Sequence, residues 1–263
     1  MTFAPAPRSN LATIVAIALV AYALCDLVHE VAGHGTAALL IPDVQAISLS
    51  SVALQTTGSS RIVAAAGSIA NVLAGFAALS LFRRLRRFSP SAYFIWLFGS
   101  LNLLNGSGYP LYSAILGSGD WEVVIRGLEP AGIWRVGLGL VGAAAYTVAV
   151  LVAAHELAQC VRRHLIAVIE MPRLVLPAYV AGGALLVAAS AFNPVGPSLI
   201  LISGVSSGFA AMAGLTAVPK LVENSVTGSG DGDGELPFSL PWIVTGVVVA
   251  IAFVAIVGRG IQL

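Results

Sequence analysis

The densest chemistry in this 263-residue chain lies in His29-Glu30-Val31-Ala32-Gly33-His34, where two imidazoles and a carboxylate fall within six positions and Asp26 precedes them. Imidazole nitrogen and carboxylate oxygen are zinc donors, and a carboxylate beside a metal-bound water can serve as a base. The flanks on both sides are apolar. An ionisable group at the centre of a membrane helix costs about 2.5–3.5 kcal/mol on insertion scales, so His and Glu there are functional candidates. The bland alternative is a set of polar groups at the membrane surface, bonded to water or to neighbouring helices. Spacing adds a constraint. Positions five apart on a regular helix stand about 140° apart, so His29 and His34 would not face one ion. One extra residue in the turn, a π-bulge, restores a shared face. Gly33, without a Cβ, eases such a distortion.

The elements that must position these groups are membrane helices. Hydrophobic residues make up 58% of the chain and charged residues 10%, too few to cover a soluble surface. The expected class is therefore an all-α polytopic membrane protein with six or seven transmembrane helices. Helices are expected at about 11–40, 61–82, 91–109, 133–158, 174–192, 197–218 and 239–258. Residues 1–130 would form the zinc-site core, and 131–263 would add further helices to one membrane domain. Ala21-Tyr22-Ala23 imitates a leader-cleavage site, but the apolar pattern runs on to Ile41, longer than a leader requires.

Between the first two helices, alternation from 44 to 57 fits a short strand or hairpin lying against the membrane domain. The Gly-Asp-rich stretch 228–235 lacks the length and distal Glu of a calcium loop and reads as a flexible linker. A net charge of +1 gives no reason to expect nucleic acid. Cys25 and Cys160 lie in apolar segments and suggest neither a disulfide framework nor a zinc ribbon. Arg83, Arg84, Arg86 and Arg87 crowd one short loop, which the positive-inside rule places in the cytoplasm. The N-terminus and Arg162, Arg163 and Lys220 would share that side, in a multi-pass protein of a bacterial cytoplasmic membrane.

His-Glu followed by a second His resembles the zincin motif, in which two imidazoles hold zinc and the Glu activates the bound water. The longer HExxGH form is similar to the zinc motif of the dipeptidyl peptidase III family. For the membrane architecture, the first 125 or so residues resemble the site-2 protease family of intramembrane zinc metallopeptidases. The His-Glu helix is followed by Gly67-Ser68-Ile69-Ala70-Asn71, which looks like that family's GxxxN element. Then comes Asn102-Leu103-Leu104-Asn105, similar to the start of its NLLP-type segment. The family's Asp-Gly does not follow. The first Asp beyond the segment is Asp120, and the arginine distribution implies a zinc helix running opposite to the family's usual direction.

The resemblance implies a zinc peptidase acting within or beside the bilayer on a membrane protein or peptide. His29, His34 and Asp120 would be metal ligands, with Glu122 and Asn105 as substitutes for Asp120 and Glu30 as the catalytic base. Asp120 could instead cap a short helix beginning at Trp121. Asn71 could hold the catalytic helix, and Asn71 or Asn105 the substrate or its oxyanion. Gly106 to Pro110 are expected to interrupt the third helix, as is tolerated beside a cavity. A second pair, His155-Glu156, has no following histidine and reads as interfacial, with a reserve role as ligand. The alternative function is a non-enzymatic transporter or regulator that uses the same groups as an ion or proton path.

Overall fold

The computed structural model describes residues 8–58, 60–193, 200–226 and 234–263. The protein is an all-α polytopic membrane protein. Among the described residues six helices are long and apolar enough to cross a bilayer: α1 (Leu11–Leu40), α2 (Arg61–Phe82), α5 (Ala131–Arg162), α6 (Val168–Ala191), α7 (Ser203–Ser225) and α8 (Leu240–Val257). Between α2 and α5 lie the long α3 (Pro90–Leu116) and the short α4 (Asp120–Ile125). Strands β1 (Ala46–Leu49), β2 (Leu54–Thr56) and β3 (Ile261–Gln262) form a small sheet of order β2-β1-β3, antiparallel throughout. The hairpin expected at 44–57 is thus β1–β2, and its third strand is supplied from more than 200 residues away.

Local signals set the helix starts. Asn10, Ser60 and Ser89 each accept an amide hydrogen bond in the first turn of α1, α2 and α3, and Pro90 follows its cap with φ already suited to a helix. The core is continuous across both halves of the chain, from Ile14, Ile17 and Tyr22 of α1 through Trp96, Leu101 and Leu104 of α3 to Leu157 of α5 and Leu174 of α6. Buried polar tips find backbone partners. Tyr93 OH donates to Leu174 O at 2.6 Å, and Trp96 Nε1 donates to Ala153 O at 3.0 Å.

One expectation needs correction. The third helix is not interrupted: α3 runs through Pro110 to Leu116. Proline removes one donor and crowds the preceding turn at a cost of about 3 kcal/mol, but the small residues before it serve close packing. A Cβ on Gly106 would meet Ser68 O at 2.6 Å, and Gly108 lies against the Tyr146 ring. Contacts with α2 and α5 on either side hold the helix through the proline. Helix α7 departs from a regular α-helix. It passes from a π-helical stretch through a 3₁₀ segment, Ala213–Ala217, into the α-helical Val218–Ser225. The linker expected at 228–235 lies largely outside the described residues.

Candidate metal centre

Residues Val28–Gly35 of α1 form a π-helical stretch of eight residues. Its i→i+5 pattern stacks residues five apart, so His29 and His34 share a face. Their ring centroids are 4.7 Å apart with planes at 86°. The widened turn faces α2, and the two helices approach closely at paired glycines. A Cβ on Gly33 would fall 2.5 Å from Gly67 Cα, and one on Gly67 would fall 2.6 Å from His34 Nε2 and 2.7 Å from His29 Cε1. Gly33 is required for this approach rather than for an unusual dihedral.

The third group arrives by a sharp reversal of the chain. Gly117 ends α3 with φ 64° and Gly119 precedes α4 with φ 87°, conformations that suit glycine. Arg135 donates to Ala114 O and Ile115 O, occupying the last carbonyls of α3. The turn delivers Asp120 as the first residue of α4, and the N-cap position before it is Gly119, which has no side chain to cap the helix. Its Oδ2 lies 3.0 Å from His29 Nε2 and 3.3 Å from His34 Nε2. Trp121 pins the turn through a 3.0 Å hydrogen bond from Nε1 to Ser68 Oγ on α2.

The hydrogen bonds behind the rings decide which nitrogens are free. Asn71 Nδ2 donates to Cys25 O at 3.1 Å and to Asn102 Oδ1 at 2.7 Å. Asn102 Nδ2 in turn donates to Phe98 O at 2.8 Å. With both amides oriented by backbone carbonyls, Asn71 Oδ1 faces His29 Nδ1 at 2.6 Å, and the ring must be the donor. His34 Nδ1 meets Val63 O at 2.6 Å and can only donate there. In the neutral rings both lone pairs therefore sit on Nε2, aimed at Asp120. Tyr109 stacks on the His29 ring at 4.5 Å and 23°.

This arrangement fits a metal ion. His29, His34 and Asp120 each offer one ligand atom, and these atoms lie within 4.8 Å of one another. Ligand bonds of about 2.0–2.1 Å in a tetrahedral shell separate neighbouring donors by about 3.3 Å, close to the observed 3.0 and 3.3 Å. Both imidazoles are further backed by an acceptor on the remote nitrogen, the usual support of metal-bound histidine. Burial opposes ionisation of Asp120, but hydrogen bonds from the two imidazoles in their doubly protonated form outweigh it and hold its carboxyl below the usual carboxylate range. The histidines are 2% and 6% exposed, whereas the Asp120 side chain is 24% exposed, so the site opens on the Asp120 side.

Glu30 is buried beside the group, and its Oε2 accepts from Leu54 N of β2 at 2.7 Å. The same strand helps to line a cavity of about 760 Å³ with Val31, Gly35, Ala38, Leu39 and Leu49. Among the remaining expected residues, Asn105 lies next to Asn71, its Nδ2 3.4 Å from Asn71 Oδ1. Its own Oδ1 is buried without a partner among the described residues. Glu122 is not part of the ligand group. His155 and Glu156 stand near the end of α5 that bears Arg162, where Glu156 accepts from Arg83 Nε at 2.7 Å and His155 pairs with Gln159. They take no part in the centre.

Sequence reasoning did not find Val63, Ser68, Asn102 or Tyr109 as parts of the site. A backbone acceptor such as Val63 O has no residue signature, while Ser68, Asn102 and Tyr109 lay within motifs already singled out. Comparison with protein-family models, with curated proteins and with solved structures found no match to this chain.

Proposed function

We propose that the protein is a membrane-embedded zinc peptidase, similar in its working parts to the site-2 proteases, that hydrolyses peptide bonds within or next to the bilayer. The observation that carries this reading is the convergence of His29 Nε2, His34 Nε2 and Asp120 Oδ2, with a buried Glu beside them in the widened turn. Two nitrogens and one oxygen suit zinc and leave room for a further position in a four-coordinate shell. Zinc held there would polarise the scissile carbonyl and acidify a water molecule.

The remaining work falls to side chains of this chain. Glu30 has one carboxylate oxygen engaged by Leu54 N–H and the other available to take a proton. It takes a proton from the attacking water as the C–O bond forms, and returns it to the amine as the C–N bond breaks. Asn71 fixes the His29 ring rather than meeting substrate, since its amide is already committed. Asn105, with an unpartnered Oδ1, is the amide with capacity left for a substrate N–H. The cavity beside Val31 and Leu54 would seat apolar side chains flanking the bond, as a membrane peptide provides.

The same reading gives an orientation. Alternation of the helices puts Arg8, Arg83, Arg84, Arg86, Arg87, Arg162, Arg163, Arg173 and Lys220 at one end of the bundle, nine of the thirteen basic residues. The metal centre lies toward the other end, six residues or about 9 Å before the end of α1. With the arginine-rich end in the cytoplasm, the centre opens toward the opposite face. A cysteine at Ser89 should resist an impermeant thiol reagent applied to intact cells, and efficient labelling would reverse the orientation.

Purified protein in lipid should cleave a fluorogenic transmembrane peptide, lose that activity to a chelator and regain it with zinc. Zinc binding without cleavage of any membrane peptide would move the assignment to a transporter or regulator.

A further inference from the structure

At the end of the bundle remote from the metal centre, a cavity of about 210 Å³ opens between the last turn of α2, the loop that follows it and the last turns of α5. Arg83, Arg87 and Arg163 line it, together with Glu156. Glu156 is 2% exposed and is matched by Arg83 Nε at 2.7 Å, which leaves the two terminal nitrogens of Arg83 over. Among the described residues Arg87 and Arg163 make no ion pair. Three guanidinium groups against one carboxylate leave the cavity an excess of two positive charges. Phe82, Leu85 and Phe88 supply an apolar wall.

Guanidinium groups present N–H donors in a planar fork that matches phosphate oxygens two at a time. A basic pocket between the ends of membrane helices, with an apolar wall running into the bundle, suits an amphiphile with an anionic head. The volume equals the share of about seven waters, enough for a phosphate with a few attached atoms and too little for an extended polyanion.

We propose that this cavity binds a phosphate group, that of an anionic phospholipid head or of a free phosphate, through Arg87, Arg163 and the terminal nitrogens of Arg83. The site is independent of the peptidase reading. The test uses the full-length chain in neutral detergent. Native mass spectrometry follows added phosphatidylglycerol or phosphatidylcholine, and calorimetry follows inorganic phosphate. Phosphatidylglycerol should bind about tenfold or more tightly than phosphatidylcholine, and Arg87→Gln with Arg163→Gln should abolish the difference. Arg84→Gln with Arg86→Gln removes the same charge, from the loop that carries Arg87, at positions that do not line the cavity, and should keep the preference. Arg163→Lys retains the charge without the fork and should fall between, with the size-exclusion profile and thermal unfolding in detergent as the check on folding. Inorganic phosphate binding with the same arginine dependence, and no preference between the lipids, would identify a soluble ligand. Equal losses from both double variants, or binding indifferent to Arg87 and Arg163, would overturn the proposal.

Discussion

Two His-Glu pairs stand on membrane helices of this chain, and they have opposite fates. His29-Glu30 lies in a π-helical stretch pressed against α2, where paired glycines let the backbones meet and both imidazoles turn toward Asp120. His155-Glu156 lies in the regular α5, with an exposed histidine and a buried glutamate answered by one guanidinium. The dipeptide is the same, so the chemistry resides in what surrounds it. At the first pair each imidazole is held from behind by a fixed acceptor and in front by a shared carboxylate. At the second, among the described residues, the histidine meets only the glutamine side chain four residues on.

The comparison breaks most sharply on removal of ligands. His29→Ala, His34→Ala and Asp120→Ala should each reduce bound zinc from about one per chain to near zero and abolish cleavage, because three protein donors are the usual complement of such a site. His155→Ala should leave both unchanged. Metal analysis of the purified variants decides it, and metal loss in His155→Ala would mean that the ligand set has been misplaced.

Glu30→Gln separates binding from turnover. It keeps the size and the hydrogen bond from Leu54 N–H while removing the base, so zinc should remain as turnover drops by about 10²–10⁴-fold. Wild-type turnover in this variant, in an assay that a chelator still abolishes, would assign proton transfer to another group. Glu156→Gln should not alter turnover.

The supporting shell comes next in size. Asn71→Ala removes the acceptor behind His29 and leaves Cys25 O and Asn102 Oδ1 without their donor, so zinc affinity should fall by about 10–100-fold. Gly67→Ala should act in the same direction by steric contact with both rings. Competition titration against a chromogenic chelator measures both. Unchanged affinity in Asn71→Ala would show that the ring is held by Tyr109 and Asp120 alone.

How far the sequence discloses this centre follows from the kind of interaction involved. Helix positions are legible because hydrophobic length is a property of the segment itself. The widened turn is legible too, since a five-residue spacing makes sense for paired ligands only if the helix departs from 3.6 residues per turn. Asp120 was one of several possible third ligands, and only the reversal at Gly117 and Gly119 distinguishes it from Glu122. The course of α3 through Pro110 is not legible, because the local breaker is visible in the sequence and the packing of Gly106 and Gly108 that opposes it is not. Strand β3 has no local mark, since two residues gain strand geometry only by meeting β1.

The smallest expected effect sharpens the comparison from the other side. Removing one member of a buried ion pair is costly when the survivor is a buried charge. Here the survivor would be Arg83, whose side chain is 59% exposed, so water takes over its solvation. Glu156→Gln also keeps an amide oxygen where Oε1 accepts from Arg83 Nε. The expected loss of stability is therefore under about 1 kcal/mol, with zinc content unchanged, as measured by denaturant titration in mixed micelles. A loss of zinc on this substitution would show that the metal centre and the arginine-rich end of the bundle are coupled through α2, which carries Gly67 and Asn71 in its first half and leads into Arg83 at its end.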